Sequence, residues 1–149
     1  MAEDTTKNVA KSCVSTVIPA MRYRDARAAI AWLGKAFGFH PQAVYDGPNG
    51  TVAHAQLTFG NGMVMLGSVQ KDGEWSKRMV QPDEIGGRET QSACLIVSDA
   101  RAIYETAKAA GAEIVQELAE MPYGGLAFGC RDLEGHLWSI GEYDPWAQA

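Results

Sequence analysis

A chain of 149 residues suffices for one well-packed domain, or for two half-size modules sharing a core, and is short for two independent domains. Hydrophobic residues at 46% and charged residues at 21% exclude a disordered or fibrous chain, and a net charge of -5 without a long run of either sign argues against a nucleic-acid partner. Residues 1–12 mix acids, bases and polar groups, so they read as a flexible tail rather than a secretory signal. No later run reaches membrane-spanning length, which points to a cytoplasmic protein with no membrane partner. Cys13, Cys94 and Cys130 are odd in number and widely spaced, and read as reduced thiols rather than as a disulfide framework or a thiolate zinc site.

In chain order, the β-branched run from Cys13 to Ala20 predicts a first strand ending near Pro19. Asp25 is placed to cap a helix running to about Phe37, with Ala29, Trp32, Leu33, Ala36 and Phe37 at helical spacing and Gly38 as its stop. A short strand from Gln42 to Tyr45 follows. Val52 to Val69 then predicts a hairpin turning at Gly60-Asn61-Gly62, in which Ala53, Ala55, Leu57 and Phe59 alternate with polar residues. The segment 70–90 lacks either periodicity and is rich in polar residues, Gly and Pro, as a connecting loop would be. From Gln91 the plan restarts: a strand through Ser92 to Ser98, a helix capped by Asp99 to about Ala110, a short strand from Glu113 to Glu117, and a closing hairpin over Leu126 to Tyr143. Asp-Ala-Arg-Ala opens both helices, at Asp25 and at Asp99, and the hairpin turns at Gly62 and Gly135 lie at nearly the same interval, so the chain contains an internal repeat.

Three stretches carry a family resemblance: VIPAMRYRDARAAIAWLGKAFGF, HAQLTFGNGMVMLG and RDLEGHLWSIGEY. They resemble the vicinal oxygen chelate superfamily of glyoxalase I, bleomycin-resistance proteins, fosfomycin-resistance enzymes and extradiol dioxygenases, and the likeness spans Cys13 to Tyr143. The His-Ala-x-Leu hairpin and the Gly-His-x-Trp ending are most similar to its PhnB-like branch. The resemblance implies an α+β fold, a single domain at 13–145 built from two tandem βαβββ modules at about 13–69 and 91–143 that form a cleft, and a homodimer. Metal-using members place ligands on the first and fourth strands of each module, and those positions fall here at Ile18, Leu66, Ser92 and Ser139. None carries an imidazole or carboxylate, and among their neighbours only Gln91 is a donor, so no metal cofactor is expected.

Period two along Val52 to Phe59 turns His54, Gln56 and Thr58 toward the cleft, and the same argument turns Ala127, Gly129 and Arg131 away from the helices. His54 is the imidazole suited to hydrogen bonding or proton transfer, and Gln56 to orienting a carbonyl or amide. Trp75 in the connector could close over a pocket. These residues, with Ser92, Arg131 and Ser139, form the candidate ligand-binding set. Asp132, Glu134 and His136 read as structural residues of the closing turn. The expected function is metal-free binding of a small organic molecule, of the sequestration or resistance type. The alternative is a lyase, isomerase or dioxygenase that uses either a non-standard metal site or His54 as general base.

Overall fold

The computed structural model describes residues 8–147, so residues 1–7 of the predicted tail lie outside the described residues. Each half of the chain is a βαβββ module. The first contains β1 (Ala20–Tyr23), α1 (Ala26–Phe37), β2 (His40–Asp46), β3 (Val52–Phe59) and β4 (Gly62–Ser68). The second contains β5 (Ala93–Ile96), α2 (Ala100–Ala109), β6 (Glu113–Glu120), β7 (Leu126–Arg131) and β8 (Leu137–Gly141). Both sheets have the same order, β1-β4-β3-β2 and β5-β8-β7-β6, with the first strand of each module parallel to its fourth. No helix among the described residues is long and apolar enough to cross a membrane.

The repeat is visible in the helix caps. Asp25 accepts from the Ala28 N–H at 3.0 Å, and Asp99 from the Ala102 N–H at 3.1 Å. Gly38 ends α1 in the left-handed region at φ 93°, as glycine readily does. The helices then cap each other: Trp32 donates its indole N–H to the Ala110 carbonyl at the end of α2, and Thr106 its hydroxyl to the Ala36 carbonyl in the last turn of α1.

Several predicted strand boundaries and one alternation shift. β1 begins at Ala20 rather than Cys13, because β-branched residues form a strand only where a partner and a packing face exist, and Val14 and Val17 are exposed. The Pro19 carbonyl nevertheless accepts from Met65 N–H at 2.9 Å, just ahead of the strand. β6 runs on to Glu120, held by pairing with β7. In β3 the pairing with β2 shifts between Tyr45 and Asp46, so Val52 is buried and Ala53 is exposed, the reverse of the alternation predicted there.

One hydrophobic core serves both modules. Leu57, Val64 and Leu66 of the first sheet and Phe128, Cys130, Trp138 and Ile140 of the second are buried in it with Ala29, Leu33 and Phe37 of α1. Trp138 bridges the halves, its ring 5.3 Å from Phe37 and 5.7 Å from Phe39. Joining the sheets through their helix-covered faces leaves the other face of each sheet open.

At the seam lies a buried carboxylate. Asp132 Oδ2 accepts from the Tyr23 hydroxyl at 2.6 Å and from the Trp138 indole N–H at 3.0 Å, while Oδ1 accepts the Glu134 and His136 N–H groups. Tyr23 ends the first strand of one module and Trp138 lies in the last strand of the other. Glu134, in the same turn, accepts the Arg24 and Asp25 N–H groups ahead of α1. Buried His136 stands between the Glu89 carboxylate at 2.7 Å and the Arg22 carbonyl at 3.0 Å, and Glu89 also accepts the Leu137 N–H. These three turn residues are therefore structural. Removing a buried charge's partners is costly, and leaving its donors unpaired is costlier. Asp132→Ala is expected to lose about 3 kcal/mol and Tyr23→Phe about 2 kcal/mol in urea denaturation.

Candidate ligand site on the open sheet faces

Strand parity assigns each residue to a face. In the second sheet Leu95, Phe128, Cys130, Trp138 and Ile140 point into the core, so Cys94, Ile96, Ala127, Ser139 and Gly141 lie on the open face. There they line a cavity of ≈ 320 Å³ whose walls include Tyr123, Tyr143 and Leu126. The two tyrosine rings meet edge to face at 5.1 Å at one side of it. Its floor is open because residues 127 and 141 are small: a Cβ at Gly141 would sit 3.2 Å from the Ala127 methyl carbon.

Glu142 braces this floor from behind, accepting the Leu126 N–H at the start of β7 and the Ala100 N–H at the start of α2, both at 2.9 Å. Those two N–H donors hold its carboxyl below the usual carboxylate range. Burial raises the Cys94 thiol, and burial followed by the Asp132 charge pushes Cys130 up to about 12.

The first sheet presents a different open face. His54, Gln56 and Thr58 share one side of β3, as period two predicts. Gln56 Nε2 donates to Gln42 Oε1 at 2.8 Å, which turns Gln56 Oε1 toward His54 Nε2 at 3.0 Å. His54 therefore donates from Nε2, and its Nδ1 has no hydrogen-bond partner among the described residues. The Tyr45 ring stacks near it at 6.1 Å.

The remaining predicted residues lie elsewhere. Ser139 lines the cavity, but Ser92 precedes β5 and its place opposite Ser139 is taken by Cys94. Leu66, expected at a cleft-facing ligand position, is buried in the core, and Met65 occupies the open face beside it; Ile18 lies ahead of β1. Arg131 donates to the Gly87 carbonyl and lies 3.5 Å from Glu113, tying the connector to the second sheet in a separate polar groove. Trp75 is 68% exposed on the connector. Sequence reasoning missed Cys94, Ile96, Tyr123 and Tyr143. Parity applied to β5 would have found the first two, whereas the tyrosines lie outside the strands, where no periodicity marks them.

Residues 16–140 match the model of the Glyoxalase/Bleomycin resistance protein/Dioxygenase superfamily, and the chain belongs to that superfamily. An uncharacterised protein of Mycobacterium bovis is 32% identical over 118 residues, spanning 79% of this chain and 76% of that protein. Among solved structures, TioX from Micromonospora sp. ML1 superposes with a TM-score of 0.67 at 32% identity, over 87% of this chain and 99% of that one. The fosfomycin resistance protein FosX of Listeria monocytogenes, solved with Mn(II), gives a TM-score of 0.61 at 12% identity over 86% of this chain and 89% of its own. The last likeness speaks for the fold alone.

Two measurements check the local chemistry. In the native protein Ellman's reagent is expected to titrate Cys13 rapidly and Cys94 more slowly, with Cys130 reacting only after denaturation. Glu142 has a lowered pKa, so its contribution to stability is complete above the ordinary carboxylate value and is lost as pH falls through the lowered one. Glu142→Gln should therefore be less stable than the parent at neutral pH, with the difference in denaturation midpoint shrinking in acid.

Proposed function

We propose that this protein binds a small, partly aromatic organic molecule in the cavity on the second sheet, without a metal, and acts by sequestration. The observation that carries this reading is the wall chemistry: Ile96, Leu126, Ala127, Tyr123 and Tyr143 supply apolar and aromatic surface, with Ser139 as a polar anchor. The donor set counts against a metal centre of the family's kind. The facing pairs on the open sides of the strand junctions are Ala20 with Met65 and Cys94 with Ser139. Alkyl, thioether and hydroxyl groups, with a thiol whose burial favours its protonated form, are poor ligands for a divalent ion of this class.

In this reading the protein is a homodimer in which the open first sheet of one copy covers the open second sheet of the other. Support comes from the apolar side chains on those faces, among them Tyr45 and Ile96, which are 58% and 40% exposed. The hairpin and closing motifs favour a place in the PhnB-like branch, in a cytoplasmic setting. A second reading keeps His54 as general base, drawing on the Gln56 contact that fixes its Nε2–H and leaves Nδ1 to accept a proton.

The uncharged fluorophore N-phenyl-1-naphthylamine tests the cavity. It is expected to bind with enhanced fluorescence in chelator-treated protein, and to bind about tenfold more weakly to Tyr123→Ala or to Ala127→Phe, which fills the floor. Equal affinity for all three proteins places the probe elsewhere and defeats the cavity reading. Sedimentation equilibrium is expected to give twice the chain mass. A purely monomeric species would remove the paired-sheet arrangement.

A further inference from the structure

The internal repeat makes the two open faces comparable residue by residue. In the second sheet β5 sets Ile96 beside Gly141, which pairs in turn with Ala127, and these three line the cavity. In the first sheet the same places belong to Arg22, Gly67 and His54. Arg22 pairs with Gly67 across β1 and β4, and His54 follows one step beyond the Ala55–Leu66 pair. Where one module presents an isoleucine and a methyl group, the other presents a guanidinium and an imidazole.

Arg22 is laid across Gly67. A Cβ added at Gly67 would collide with Arg22 Nη1 and sit 2.9 Å from the Ala53 carbonyl oxygen, so the missing side chain leaves room both for the guanidinium and for the neighbouring backbone. Glycine inside a strand weakens it and marks a place where another group must approach closely. Here those groups are the Arg22 guanidinium and the Ala53 carbonyl. Arg24, Arg27, Arg78 and Arg131 each contact a carboxylate. The half-buried Arg22 side chain has no hydrogen bond and no ion pair among the described residues. A guanidinium drawn partly out of water with its donors unused is expensive unless an acceptor completes it.

We propose that Arg22, with His54 beside it, is a recognition site for the carboxylate of a small-molecule ligand. The planar fork of a guanidinium matches a carboxylate in two parallel hydrogen bonds, and the free Nδ1 of His54 lies in the same transverse row. Tyr45, paired with His54, continues that row. The ligand is thus an aromatic acid, its ring in the tyrosine-walled cavity and its carboxylate on Arg22. Joining both ends in one molecule rests on the proposed pairing of open faces between copies, whereas the Arg22 site stands on the first sheet alone.

Two probe pairs separate these claims. The first compares acetate with acetamide as protectants of Arg22 against phenylglyoxal, read by peptide mass spectrometry. Acetate alone is expected to slow the modification. Equal rates with both, or no protection by either, overturn the carboxylate site. The second compares 2-naphthoate with 2-naphthamide by calorimetry. The parent protein is expected to prefer the acid by about tenfold, and Arg22→Gln to bind both alike. A preference that survives in Arg22→Gln overturns the assignment to Arg22. Should acetate protect while neither naphthyl compound binds, the cavity reading falls and the carboxylate site remains. With no hydrogen-bond or ion-pair partner among the described residues to lose, Arg22→Gln is expected to keep the parent's melting temperature. A marked fall would make Arg22 a structural residue and overturn the proposal.

Discussion

The two modules meet around a single buried carboxylate, Asp132, beside the core they share. It takes a hydroxyl from the first strand of one module and an indole N–H from the last strand of the other, and two backbone donors from its own turn. A charge this deeply withdrawn from water is tolerable only when its lone pairs are filled. Burial, and then the nearness of that charge, raises the Tyr23 hydroxyl well above its ordinary pKa, so the phenol remains a donor. The modules are thereby locked with their helix-covered sides inward. The open faces are what remains accessible on each sheet.

The repeat supplies the frame, and the two halves diverge on it. Backbone devices agree between halves: the aspartate caps, the parallel pairing of first and fourth strands, the glycine in the fourth strand. Side chains on the open faces do not agree. One face is apolar and aromatic around a depression, and the other is a row of hydrogen-bonding groups that partly satisfy one another, as His54, Gln56 and Gln42 do. The two modules thus share a backbone plan and differ in the chemistry of their open faces.

Much of the frame could be read from residue order, because periodicity and caps are local. Asp25, Gly38 and Asp99 announced their helices, and the alternation in β3 set His54, Gln56 and Thr58 on one face. Errors arose where a long-range contact overrides a local preference. Val14 and Val17 favour a strand but find no partner, and counting four residues from the Gly62 turn put Leu66 in the cleft although its side chain is buried in the core. The cavity was less legible still. Tyr123 and Tyr143 come together from opposite ends of the closing hairpin, and Arg22 is distinguished by a side chain absent from a different strand.

The outermost strands limit how such molecules can meet. β2 and β6 each carry shifts in pairing, and β2 begins with a proline at its second position; β1 and β5, at the opposite margins, are only four residues long. Kinked or very short margins offer no straight ladder of free amides and carbonyls for a neighbour to zip onto. Runaway growth of a ribbon by lateral accretion is blocked at both borders of both sheets. Exposed Tyr45 and Ile96 can therefore stand on the open faces without making the protein an aggregation template.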